Sequence, residues 1–248
     1  MRNIKLEIEY DGRKRCGWQV QPRKISKKPS VQESLENTLG KILQEKIRVT
    51  GAGRTDSGVH ALAQVANFKT NSEIPVRKLQ LALNGNLPKD ISISKVEEVA
   101  LSFHSRFKAK SKVYRYTILN RAYPSALLKG RVNHLRYPLD VGLMRREAKD
   151  LLGRHDFSSF RASGGQSQDS VRRIKSIRIT KNKDLIHLEI EADGFLYNMV
   201  RNITGTLIEI GRHRFKKGEL KKILLARNRR LAGPTAPACA LFLVGVRY

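Results

Sequence analysis

The sequence predicts an α+β fold: two related domains with mainly antiparallel mixed sheets flanked by helices and a cleft between the domains. Three observations lead there. Segments of strict apolar and polar alternation recur along the chain, and two of them, within residues 171–194, read as a hairpin. Helical segments are fewer, separately capped and set between the strands. The two halves, divided near residue 105 into 1–104 and 105–248, carry similar elements in similar order without detectable sequence identity.

The elements follow in order. Ile4, Leu6, Ile8 and Tyr10 alternate with polar residues, the period of a half-buried strand. After the turn "DGRKRCG", Ser30 with Glu33 three residues on forms a capping box. It opens a helix whose apolar stripe is Val31, Leu35, Leu39, Ile42 and Leu43. "KIRVT" reads as a short strand into a glycine-rich loop, "QVANFKT" as the next strand, residues 75–83 as a helix, and "ISISKVEEV" as a further strand.

The second half begins with the strand "KVYRYTILN". The helix "VGLMRREAKDLL" has Asp140 in the N-cap position, and two alternating strands follow about the turn "KNKD". "FLYNMVRNITGTLIEIG" is predicted as a helix with Leu196, Val200, Ile203 and Leu207 on one face and Asn198, Arg201 and Asn202 on another. "LFLVGVRY" closes the chain as a strand. There is no low-complexity tract and no short repeat.

Composition narrows the function. The 248 residues are 40% hydrophobic and 29% charged, which suits a folded chain with a real core and not a disordered basic tail. Lys and Arg number 49 against 22 Asp and Glu, a formal charge of +27 spread along the sequence. Such an excess is the electrostatic footprint of a polyanion binder, because each neutralised phosphate releases counterions. A generally basic surface that aids solubility, or attraction to anionic membranes, is the plainer reading. No run approaches a membrane span and the N-terminus reads as a strand, so a cytoplasmic protein without membrane association is expected. Cys16 and Cys239 are the only cysteines, and the six histidines are scattered without metal-ligand spacing, so no metal is expected.

Against this basic background, "TGAGRTDSGVHA" places Asp56 where it would repel a polyanion. An Asx-turn is the structural account, since Asp followed by Ser-Gly makes one readily. A phosphate cradle fits poorly, for the GxxxxGK[ST] pattern is absent and the carboxylate opposes phosphate. A lone catalytic carboxylate, held ionised by Arg54, is the third account.

The segments "GAGRTDSGVHA", "YDG", "GWQVQ", "NLPKDI", "FHSRF", "YRY", "DFSSFR", "NMVRNITG" and "LFLVGV" occur in an order, along essentially the whole chain, that closely resembles the tRNA pseudouridine synthases of the TruA type. The resemblance implies the pseudouridine synthase fold, with its active-site cleft between the domains, and an isomerase that needs no cofactor. It implies a homodimer reading tRNA shape and acting on uridines on the 3′ side of the anticodon arm. In this resemblance Asp56 is the catalytic aspartate. Arg54 pairs with it and fills the space of a flipped nucleotide, although a salt bridge or phosphate contact explains Arg54 equally well.

Tyr114 matches the tyrosine that stacks on the target uracil, an interaction worth roughly 1–3 kcal/mol per base. Tyr116, two residues on and so on the same strand face, suits a core tyrosine better. Arg201 resembles an arginine that pairs with the aspartate, against the plainer reading of a solvated helix residue. Leu241 resembles a leucine packing near the base, against ordinary core. One departure is visible: Ala240 stands where the family has glycine ahead of that leucine, which bears on the backbone fit there. A tRNA-binding or chaperone protein on the same scaffold is the alternative from another class. A glycosidase using Asp56 is a further one.

Overall fold

The computed structural model describes residues 1–22, 26–164 and 169–248. The chain divides into two compact units, one of residues 1–110 with 242–248 and one of residues 111–241.

The first unit is built on β1 (Arg2–Tyr10), β2 (Thr50–Gly51), β3 (His60–Thr70) and β4 (Ile91–Val99), with helices α1 (Val31–Leu43) and α2 (Val76–Asn86). β1 lies antiparallel between β3 and β4, with Leu6 opposite Ala66 on one side and Val96 on the other. Its alternation buries Ile4, Leu6, Ile8 and Tyr10. The predicted capping box is present: Ser30 Oγ accepts from the Glu33 amide at 3.0 Å, and the Glu33 carboxylate accepts from the Ser30 amide at 3.3 Å. Val31, Leu35, Leu39 and Leu43 are buried along the helix, while Ile42 is only half-buried. Asn84 of α2 holds β4, donating to the Ile93 carbonyl and accepting from its amide.

The expected strand "KIRVT" is mostly absent, since only Thr50 and Gly51 join a ladder, opposite Asn67 and Ala66. Ile47 and Val49 are buried all the same. The backbone of Val49 is satisfied by helix α1 instead of a strand: its amide donates to Glu36 Oε1 at 3.0 Å and its carbonyl accepts from Gln32 Nε2 at 3.1 Å.

The second unit contains β5 (Ser111–Asn120), β6 (Asn133–Leu135), α3 (Val141–Ala148), β7 (Gly153–Asp156), β8 (Val171–Asn182), β9 (Leu185–Ala192), α4 (Met199–Gly211) and α5 (Glu219–Ala226). The order β5-β9-β8-β7 is antiparallel throughout, and β6 lies parallel on β5. The predicted hairpin is β8–β9, tightened to Lys183 and Asp184, and Asp140 caps α3 by accepting from the Leu143 amide at 2.8 Å. β6, β7 and α5 were not anticipated, although Leu220, Ile223 and Leu224 of α5 are buried at helical spacing.

Helix α4 departs from its predicted form in two respects. It begins at Met199, because Asn198 has φ +58 and interrupts the helical backbone. It also lacks a separate polar face near Asn202, which is fully buried together with Thr204 and Thr206. The last strand, β10 (Leu241–Arg247), expected within the second domain, instead contributes Phe242 onward to the first unit, where it lies parallel to β3 with Phe242 opposite His60. A terminal strand joins whichever edge offers unpaired backbone groups, and β3 supplies one.

Candidate active site

The loop that carries Arg54 and Asp56 is clamped from both sides by residues 10–18. Thr55, between the two, is buried. Its hydroxyl lies 2.7 Å from the Tyr10 hydroxyl, and its carbonyl accepts from the Trp18 amide at 3.0 Å. Gly17, at φ +107, packs so closely that a Cβ would lie 2.6 Å from the Thr55 carbonyl oxygen. A Cβ on Gly12 would likewise overlap the Val59 carbonyl, at 2.0 Å. Ser57 Oγ donates to the Arg15 carbonyl at 3.0 Å.

Asp56 itself begins a turn: the Val59 amide donates to its carbonyl at 3.1 Å, and Gly58 at φ +82 supplies the positive dihedral that such a turn requires. Asp56 is half-buried and Arg54 is exposed. Behind the loop, Gln64 Nε2 donates to the Gly53 carbonyl at 2.8 Å. Burial pushes the Tyr10 hydroxyl well above the usual phenol range, so it stays neutral as a strut. His60, at the loop's end, is buried and stacked on Phe242 with ring centroids 4.6 Å apart. Its Nδ1 accepts from the Gly12 amide at 3.2 Å and also faces Asp11 Oδ1 at 3.3 Å. A nitrogen accepting an amide proton cannot also donate to a carboxylate, so the Gly12 bond defines this contact.

The clamp is anchored by a charge pair. Arg15, only 4% exposed, pairs with Asp90 of "NLPKDI" through Nε at 2.8 Å and through Nη2, while Nη1 donates to Ser34 Oγ of α1 at 2.7 Å. Three sequence segments thereby converge behind the Asp56 turn. Trp18, from "GWQVQ", closes the same region, and a Cβ on Gly51 would lie 2.4 Å from its ring.

In the second unit, Tyr114 is buried on β5 and meets Phe195 edge-on with centroids 5.0 Å apart. Tyr116 is fully buried, and its hydroxyl donates to the Pro237 carbonyl at 3.0 Å. Burial raises its hydroxyl far above the usual range, with Cys239 adding to the effect and Arg201 opposing it. The core assignment of Tyr116 fits this setting. Arg201 is not a solvated helix residue: Nε donates to the Ala236 carbonyl at 2.7 Å and Nη1 to Asn198 Oδ1 at 2.8 Å. Leu241 is buried at the start of β10, directly after the fully buried Ala240.

The residues that sequence reasoning missed are those that hold segment 229–237 against α4. Asn202 Oδ1 accepts from Arg229 at 3.0 Å and from Thr235 at 2.7 Å, and its amide donates to the Phe160 carbonyl at 2.8 Å. A Cβ on Gly205 would lie 1.7 Å from the Pro234 carbonyl oxygen. "NMVRNITG" is therefore largely a grip on the segment that leads into Leu241. The asparagine and glycine inside a helix, both poor helix formers, were the available signal. The structure thus sets Arg54 and Asp56 on one loop of the first unit, and ties Tyr116 and Arg201, through residues 236–237, to one segment of the second.

Residues 7–108 and 148–248 match the family described as tRNA pseudouridine synthase. The chain is 49% identical over 248 residues to tRNA pseudouridine synthase A of Acetivibrio thermocellus, covering 100% of both chains. It is 45% identical to the protein of that name in Thermoanaerobacter sp. and 47% identical to tRNA pseudouridine synthase A 2 of Clostridium perfringens, again over 100% of each.

Proposed function

The chain belongs to the tRNA pseudouridine synthase family, isomerases that convert uridine in tRNA to pseudouridine, and from that premise we propose that Asp56 is the carboxylate that carries the reaction. The isomerisation breaks the N1–C1′ bond of uridine, turns the uracil, forms a C5–C1′ bond and moves the C5 proton, with no net oxidation and no hydrolysis. A carboxylate at the sugar assists departure of uracil, either as a covalent ester or through general-base and electrostatic roles. The observation that supports this role is the rigidity of the turn: Thr55 is pinned by Tyr10 and Trp18 on one side of Asp56, and Ser57 by the Arg15 carbonyl on the other. Fixed placement is what such chemistry requires.

Around it we assign Tyr114 to stacking on the target uracil, Arg201 to pairing with Asp56, Arg54 to the space a flipped nucleotide vacates, and Leu241 to packing against the base. The substrate region is the 3′ side of the tRNA anticodon arm, read by a cytoplasmic homodimer through phosphate contacts that suit a chain of formal charge +27. No helix is long and apolar enough to cross a membrane, among the described residues. Membership in an enzyme family favours this reading over a non-catalytic binding protein.

The test compares wild type with Asp56→Asn on an unmodified tRNA transcript, mapping pseudouridine by carbodiimide primer-extension stops and measuring binding by filter retention. Modification by the variant is expected to fall by at least ~10³-fold while binding is retained. Modification at the wild-type rate would remove Asp56 from the catalytic role.

A further inference from the structure

Phe107, in "FHSRF", is the residue that the proposed mechanism leaves unused. It is 77% exposed, and an isolated exposed phenylalanine would need no explanation. This one is held outward by a turn whose polar groups are tied down. Ser105, fully buried, donates from its amide to Asn67 Oδ1 at 2.9 Å and from its hydroxyl to the Thr50 carbonyl at 2.6 Å. Its own carbonyl accepts from the Tyr248 hydroxyl at 2.9 Å. His104 Nδ1 accepts from the amides of Arg106 and Phe107 at 3.2 and 3.3 Å, and its carbonyl accepts from the Lys108 amide at 3.0 Å.

The same imidazole lies against the phenyl ring, with centroids 4.3 Å apart and an interplanar angle of 31°. The Arg106 guanidinium sits 5.8 Å from the ring centroid. Lys108 and Lys110 follow, both exposed, and between Glu98 and Asp140 the sequence holds no acidic residue. A preordered aromatic face among exposed cations, with no carboxylate from its own segment, is complementary to a stacked base whose phosphates run alongside. A protein partner's apolar side chain would gain nothing from that charge.

We propose that Phe107 is a stacking platform for an unpaired base of the substrate tRNA, with Arg106 and Lys108 on the adjoining phosphates. The platform is separate from the base that reacts. The proposal rests on tRNA being the substrate. Through Ser105 and the Thr50 carbonyl, the turn is bonded to the start of the loop that carries Asp56, so a base held at Phe107 fixes tRNA relative to the catalytic carboxylate.

Phe107→Ala and Phe107→Trp test it, with an unmodified tRNA transcript and an RNA hairpin of equal length, fully paired and closed by a non-nucleotide linker, as probes. The alanine variant should bind the transcript at least about fivefold more weakly than wild type, with an unchanged slope of log Kd against log salt, because no phosphate contact is removed. Its affinity for the hairpin should not change. The only native tryptophan, Trp18, is 2% exposed, so Phe107→Trp adds one exposed reporter, which tRNA should quench while affinity is restored. Wild-type affinity in the alanine variant, an equal loss on the hairpin, or a changed molecular mass in gel filtration would each overturn the platform. If the wild type itself neither bound nor modified tRNA, the substrate reading would fail as well. If it did both and the alanine variant matched it, only the platform would fall.

Discussion

Gly17 and Thr55 are packed backbone to backbone: Gly17 has φ +107, and a methyl group on it would sit 2.6 Å from the Thr55 carbonyl oxygen. This contact joins "GWQVQ" to the loop that carries Asp56, two segments separated by helix α1.

Gly17→Ala therefore strains the backbone and displaces the loop. The expected cost is about 1–3 kcal/mol of stability, read as a lower urea midpoint. The single-turnover rate of pseudouridine formation should fall with it, while tRNA affinity is retained. An unchanged midpoint would show that the loop yields to the methyl group without cost.

Tyr114 and Tyr116 differ in surroundings, and their variants should separate. Tyr116→Phe leaves the Pro237 carbonyl without its donor and is expected to cost about 1–3 kcal/mol in denaturant unfolding, with a modest effect on turnover. On the proposed assignment, Tyr114→Ala removes stacking and loses turnover out of proportion to stability. Equal ratios of activity loss to stability loss in the two variants would count against that division.

Glycines should divide by what surrounds them. Gly205→Ala drives a methyl group to within 1.7 Å of the Pro234 carbonyl oxygen and is expected to cost roughly 3 kcal/mol or more, because segment 229–237 must lift from α4. Gly85→Ala, at an exposed position of helix α2 with nothing within 4 Å of the new methyl, should raise stability by about 0.5–1 kcal/mol. Thermal unfolding of both variants checks the opposite signs.

Asp11 supplies an acid-sensitive contribution. Burial alone would raise its pKa, but hydrogen bonds from the Arg13 side chain and backbone, together with the Arg13 charge, bring it from 3.8 down to about 2. The unfolded chain therefore takes up this proton first as pH falls. The stabilisation is whole above about pH 4 and is lost as pH drops toward 2. Asp11→Asn should be less stable than wild type at neutral pH, and the gap should close across that window in urea titrations. A constant gap would place the effect elsewhere.

Much of this molecule is written locally. The alternation of Ile4, Leu6, Ile8 and Tyr10 required a strand, Ser30 with Glu33 fixed a helix start, and Asp140 capped another, because period and capping depend on neighbours within a few residues. The ordered motifs likewise marked the family, and through it Asp56, Tyr114, Arg201, Arg54 and Leu241 as candidates for its site. Tertiary structure decided how distant groups are satisfied. Val49 took its backbone partners from Glu36 and Gln32 of a helix instead of a strand, and Asn202 turned inward to bind Arg229 and Thr235. Phe242 carried the last strand onto His60 of the first unit, and Gly17 and Gly205 were required by the carbonyls of Thr55 and Pro234. Periodicity tells a segment what form to take, but a buried donor, acceptor or close backbone approach is completed by residues far along the chain, and only the folded molecule brings those together.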